Sequence, residues 1–175
     1  ILFSSTRQRQ SKAILLDEGK AQFEAANEAR GESAFVLHVM NGDGTGVRQL
    51  TNAPGYDGGP FFSPNGKWIV FRSDRKQAEF LQIHAISVDG KHDVALTDNV
   101  GVNWAPYWHP QSPFIVWTGA DHSDPKARPN YDLWLMKYEE KDGKIQPGPI
   151  TRITDNASAD VLPVFSQDGS KLMWT

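Results

Sequence analysis

The chain has 175 residues, a formal net charge of −3 and no cysteine. That length suffices for one good core, while the charge gives no electrostatic case for nucleic acid or an anionic membrane and the missing cysteines exclude disulfide and thiolate chemistry. No apolar run approaches the ~18 residues of a membrane span, so membrane insertion is not expected.

In chain order the first predicted element is a strand, "ILFSSTR" at 1–7. An Ala-, Glu-, Gln- and Lys-rich insert at about 8–33 follows, with a helix expected over roughly 17–30 from the partial apolar face of Leu15, Leu16, Phe23, Ala26 and Ala29. Two strands come next, "AFVLHVM" and "VRQLT", joined by "NGDG". This turn lacks the distal Glu of a calcium loop and reads as a plain turn. From residue 57 the chain repeats itself. A polar residue stands three before a proline in Asp57-x-x-Pro60, Asn103-x-x-Pro106 and Asp160-x-x-Pro163. Short aromatic strands follow ("PFFS", "PYWH", "PVFS"), then turns ("SPNG", "HPQS", "SQDG"), then the strands "KWIVFRS", "FIVWTG" and "KLMWT". A second strand pair completes the first two copies, "FLQIHAIS" with "DVALT" and "YDLWLMKY" with "ITRIT". Leu50-Thr51, Leu96-Thr97 and Ile153-Thr154 each close a unit. The polar loop 119–132 and the charged hairpin tip 139–149 are the remaining extensions.

Four short strands over ~45 residues are the content of one β-propeller blade. Such a unit cannot bury both sheet faces alone, so the phrase recurs because the fold stacks copies. The expected fold class is all-β, a propeller of four-stranded antiparallel blades with about three present. The units run 1–51 (with the insert), 52–97, 98–154 and 155–175, the last being half a blade. Because the chain begins and ends inside strands, a piece of a longer chain is the expectation, with the rest of its own propeller as one partner.

The phrase from Asp57 and Pro60 through Ser63-Pro64-Asn65-Gly66-Lys67 to Ile69-Val70-Phe71, Ser73 and Arg75 closely resembles the TolB-type propeller repeat. "LHVMNGDGTGVRQLT" at 37–51 and "IHAISVDGKHDVALT" at 83–97 resemble its second half. The third unit departs from it: Asn103 replaces the acidic residue and "HPQSPF" replaces the turn. The resemblance implies a ring of six to eight blades, a periplasmic or extracellular location and a non-catalytic scaffold that binds a protein or peptide. Similar blades also occur in propellers of prolyl-oligopeptidase-like serine peptidases, where the propeller gates substrate access; that alternative stays open.

The loops before strand one and after strand two share one face, and strand one is innermost. Tyr56, Asp57, Asn103, Trp104, Asp160, Arg72 and Arg75 are therefore the candidate partner- or ligand-binding residues at the channel mouth. Two readings stand for Asp57 and Asp160: contact with a cation or basic group, or capping of their own loops. Trp104 is read as a channel-side loop residue able to hold a peptide or sugar beside Asn103. "DHSD" at 121–124 reads as a solvated loop, and no metal site or cofactor is expected. No Gly-x-Ser-x-Gly elbow or phosphate loop appears, so no catalytic residue is named.

Overall fold

The computed structural model describes residues 2–5, as backbone, and 35–175. The helix expected over 17–30 lies outside the described residues. The strands pair only with their neighbours in sequence, and every ladder is antiparallel. The first blade comprises β1 (Leu2–Ser5), β2 (Val36–Val39) and β3 (Arg48–Gln49). The second has β4 (Asp57–Phe62), β5 (Trp68–Ser73), β6 (Gln82–Ser87) and β7 (Asp93–Ala95). The third has β8 (Gly101–Trp108), β9 (Phe114–Asp121), β10 (Asp132–Lys141) and β11 (Lys144–Arg152). A two-stranded sheet follows, β12 (Val164–Phe165) with β13 (Leu172–Met173). The described residues thus form the expected all-β blades.

The run "WIVF" is apolar at every position because both faces of β5 are covered. Ile69 and Phe71 join Leu37 and Ile86 in a buried cluster toward the first blade. Trp68 and Val70 join Ile83, Ala85 and Leu96 against Trp108, Ile115, Trp117 and Met136 of the third. Each large side chain so buried contributes ~2 kcal/mol, a gain that exists only when blades are stacked.

Local hydrogen bonds explain the repeated wording. In the β4–β5 turn the Ser63 hydroxyl donates to Asn65 Oδ1 (2.8 Å) and accepts from Trp68 N–H (2.9 Å), while Asn65 Oδ1 also accepts from Lys67 N–H (3.0 Å). Ser87 with Asp89 and Ser166 with Asp168 repeat the arrangement. Gly66, Gly90 and Gly169 supply the left-handed residue, at φ +69°, +78° and +71°. In the third blade His109 stands in for the serine, its Nδ1 accepting from Gln111 N–H (3.1 Å) and Ser112 N–H (2.9 Å). The closing threonines are equally structural: Thr51, Thr97 and Thr154 Oγ1 accept from Leu37, Ile83 and Leu133 N–H at 2.8–2.9 Å.

Two expectations need correction. Asp57, Asn103 and Trp104 were expected in loops; Asp57 opens β4, and the other two lie inside β8. The strands start ahead of the proline because a bulge absorbs it. Pairing shifts between Gly58 and Phe61, and again between Trp104 and Tyr107, so Pro60 and Pro106 fall where the ladder needs no N–H. The charged stretch 139–149 is mostly strand, with only Asp142 and Gly143 turning, at φ +53° and +69°.

Candidate functional site

Strand one of each blade is tied to the blade before it. Asp57 N–H donates to Phe35 O (3.0 Å), Asn103 N–H to Leu81 O (2.8 Å) and Asp160 N–H to Tyr131 O (2.8 Å). In each case the acceptor immediately precedes strand three of the neighbouring blade. This recurring bond gathers the candidate residues on one face, where the starts of strands one and three meet.

All three polar side chains at these positions are buried, with 1%, 3% and 7% of Asp57, Asn103 and Asp160 exposed. Each accepts a hydrogen bond from a side chain of its own blade. Trp117 Nε1–H donates to Asn103 Oδ1 (2.9 Å) and Trp174 Nε1–H to Asp160 Oδ1 (3.1 Å); both tryptophans lie fourteen residues further on. The second blade has Phe71 at that position, which carries no donor. Arg75 replaces it, stacking its guanidinium 5.2 Å from the Phe71 ring and donating from Nη2 to both Asp57 oxygens at 2.8 Å. Arg75 also donates to Ser73 Oγ (2.9 Å) and Asp93 Oδ2 (2.5 Å).

Asn103 completes its set by donating to Gln82 Oε1 (3.1 Å) and Asn99 Oδ1 (2.8 Å). Gln82, which the sequence reading passed over, also bonds the carbonyls of Asn99 and Gly101. Burial pushes the Asp160 carboxyl up, but hydrogen bonds from Asn156, Thr154 and Trp174 outweigh it and hold the group below its ordinary range. For Asp93, burial is likewise outweighed, by the His84 hydrogen bond and the Arg75 charge.

The other candidates are half-buried rather than enclosed. Arg72 donates from Nη2 to the Tyr56 hydroxyl (2.9 Å), its guanidinium 5.4 Å from that ring. Tyr56 is anchored through its N–H to Asp74 Oδ1 (2.6 Å) and packs 5.4 Å from Phe35. Gly58 and Gly59 make the room: a Cβ at Gly58 would lie 2.2 Å from the Tyr56 hydroxyl, and one at Gly59 would lie 3.0 Å from Arg72 Nη1. In the third blade the corresponding places are filled by Trp104, Ala105 and Thr118. Trp104 stands edge-on to Tyr131 at 6.2 Å, and Tyr131 to His122 at the same spacing.

Two clefts were not anticipated from sequence. One of about 310 Å³ lies at the other end of strand one, lined by Phe61, Phe62, Tyr107, Trp108 and Phe165 among others. The second, about 250 Å³, lies beside the loop after β9, with Asp132, Trp134 and Arg152 in its wall. There Arg152 donates to the buried Asp132 (2.7 Å), a pair internal to the third blade. Among the described residues no group of three or more His, Cys, Asp or Glu is placed to hold a metal ion.

Comparison with known proteins bears on the fold. No family model matches the chain. An uncharacterized protein of Agrobacterium fabrum is 31% identical over 90 residues, covering 51% of this chain and 30% of that protein. The Tol-Pal system protein TolB of Bordetella pertussis is 38% identical over 55 residues, 31% of this chain and 12% of TolB. Among solved structures, one from Agrobacterium tumefaciens described as TolB superposes with a TM-score of 0.54 at 25% identity, covering 81% of this chain and 50% of that one. Acinetobacter baumannii TolB gives 0.53 at 16% identity, covering 83% and 44%. Kuenenia stuttgartiensis hydrazine synthase gives 0.61 at 17%, covering 83% and 26%, a likeness of fold alone. The described residues therefore have a TolB-like propeller fold. The chain spans half of the Agrobacterium structure and smaller shares of the other relatives.

Proposed function

We propose that this chain is part of an exported, non-catalytic TolB-like propeller, periplasmic or extracellular, that binds a protein or peptide through its channel face. Its units divide as 1–51, 52–97, 98–154 and 155–175, and the rest of its own propeller completes the ring. One observation carries the reading. Tyr56, Arg72 and Trp104 stand half-exposed on one face, on a frame whose buried polar groups are held internally by Arg75, Trp117 and Trp174. A rigid frame presenting aromatic rings and a guanidinium is what a protein-binding surface requires. In this reading Asp57, Asn103, Asp160 and Arg75 set the shape of the site, and Tyr56, Arg72 and Trp104 meet the partner. The likeness to TolB proteins supports both the scaffold role and the location.

The test is selection of displayed peptides on the complete protein. Selected peptides should lose at least tenfold in affinity on Tyr56→Ala/Trp104→Ala and keep it on Phe61→Ser, which alters the other end of strand one. Equal loss on both variants, or loss on Phe61→Ser alone, moves the site elsewhere and overturns the reading.

A further inference from the structure

We infer that the second blade carries a carboxylate receptor, with Arg72 as the recognising group, and that the ligand is an acidic side chain of a peptide. The inference rests on the peptide-binding reading above and names the chemistry that the face selects. Three observations converge on Arg72.

The first is its charge balance. Arg75 and Arg152 are each neutralised by a buried aspartate, at 2.8 Å and 2.7 Å. Among the described residues Arg72 forms no ion pair; its partners are the hydroxyl and ring of Tyr56, both neutral. A half-buried guanidinium has lost part of its hydration, and a neutral hydroxyl restores little of it. A carboxylate would restore it through two parallel charge-assisted bonds.

The second is orientation. The Tyr56 hydroxyl takes one N–H of Nη2, and the ring supports the guanidinium face. Among the described residues Nη1 has no hydrogen-bond partner and lies over Gly59, where a Cβ would come within 3.0 Å of it. The planar fork is thus fixed before a ligand arrives, which lowers the ordering cost of binding.

The third is access. Arg72 belongs to the second strand of its blade and pairs with Gly58 of the first. Because strand one is innermost, a strand-two side chain reaches the channel only where strand one has no side chains in the way. The Gly58-Gly59 bulge provides that window. The third blade closes it: Trp104 and Ala105 replace the glycines, and Thr118, buried, accepts from Leu162 N–H (3.1 Å) where Arg72 would stand. Of these two blades, therefore, only the second carries the receptor.

The test uses the complete protein and two pools of immobilised, end-blocked decapeptides that differ only in carrying Glu or Gln at the central position. The Glu pool should be retained about tenfold better, one charge-assisted bidentate contact. Arg72→Thr, which installs the third blade's residue and so keeps a native solution to the same backbone, should abolish the preference; Arg72→Lys should restore part of it. Arg128→Gln, an exposed cation beside the other polar cleft, should leave it unchanged. Equal retention of both pools overturns the receptor and leaves the peptide-binding face standing. A Glu preference that survives Arg72→Thr assigns it to another cation and also overturns the receptor. Retention of neither pool overturns both readings.

Discussion

The second and third blades share a register but not a chemistry. Each has, at or near the start of strand one, a buried polar residue tied by its N–H to the blade before it. The third blade satisfies that residue with neutral groups, Asn103 accepting from Trp117 and donating to Gln82 and Asn99. The second uses charge, Asp57 against Arg75, with Arg75 lying on Phe71 where the third blade has Trp117. The two arrangements fill the same place, so the fold demands a satisfied acceptor there and is indifferent to how it is satisfied. They differ in what failure costs, because a buried neutral acceptor that loses one donor costs less than a buried uncompensated charge.

That difference gives the largest expected effect. Arg75→Ala removes the guanidinium facing a buried carboxylate and should cost about 3 kcal/mol, read from the urea midpoint at constant m-value. Trp117→Phe removes one neutral donor and shrinks a buried ring, and should cost about 2 kcal/mol. The comparison sharpens with a transplant: Phe71→Trp in the Arg75→Ala background puts an indole N–H fourteen residues after Asp57, as in the other two blades, and should recover about 1 kcal/mol. No recovery would mean that the equivalence between Arg75 and the tryptophans is one of position only.

The next effect is in the backbone. The residue two after the buried polar group is left-handed in all three described copies: Gly59 at φ +61°, Ala105 at +50° and Leu162 at +58°. Only the second blade puts glycine there, and there the bulge also makes room for Arg72. Ala105→Gly and Leu162→Gly should each stabilise by up to about 1 kcal/mol, by relieving the Cβ penalty. Gly59→Ala should destabilise by about the same and displace Arg72, whose Nη1 its Cβ would approach at 3.0 Å. Differential scanning calorimetry on the three variants decides the sign.

How much of this was visible in the sequence follows from how far apart the interacting residues are. The turns were legible because Ser63, Asn65 and Gly66 satisfy one another within four residues. The closing threonines were visible as a recurring word but not as acceptors for strand three, since their partners lie fourteen or more residues away. The buried polar positions were recognised, yet the strand placement of Asp57 and Asn103 was missed, because the proline three residues on argues for a loop until the bulge is known. The Trp117 and Trp174 spacing was present in the sequence. It became meaningful only once pairing showed that Phe71 shares their position and that Arg75 compensates. The Arg72 window was hidden in two glycines that look like ordinary loop residues.

The smallest effect separates the turns. The β4–β5 turn is organised by Asn65, whose amide does not titrate, while the β6–β7 turn and the turn of the fourth blade use Asp89 and Asp168. The Ser87 hydroxyl and the Lys91 backbone hold the Asp89 carboxyl down to about 2, and Ser166 with Ser170 hold Asp168 down to about 2. A carboxylate depressed in the folded state contributes fully above its ordinary value of 3.8 and loses that contribution as pH falls to about 2. Acid should therefore loosen two turns and spare the third. Amide exchange at Lys91 and Ser170 should accelerate, relative to Lys67, as pH falls from about 4 to about 2. Uniform exchange at all three would show that the turns open together with the blades, and that the Asn-for-Asp difference between them has no energetic consequence.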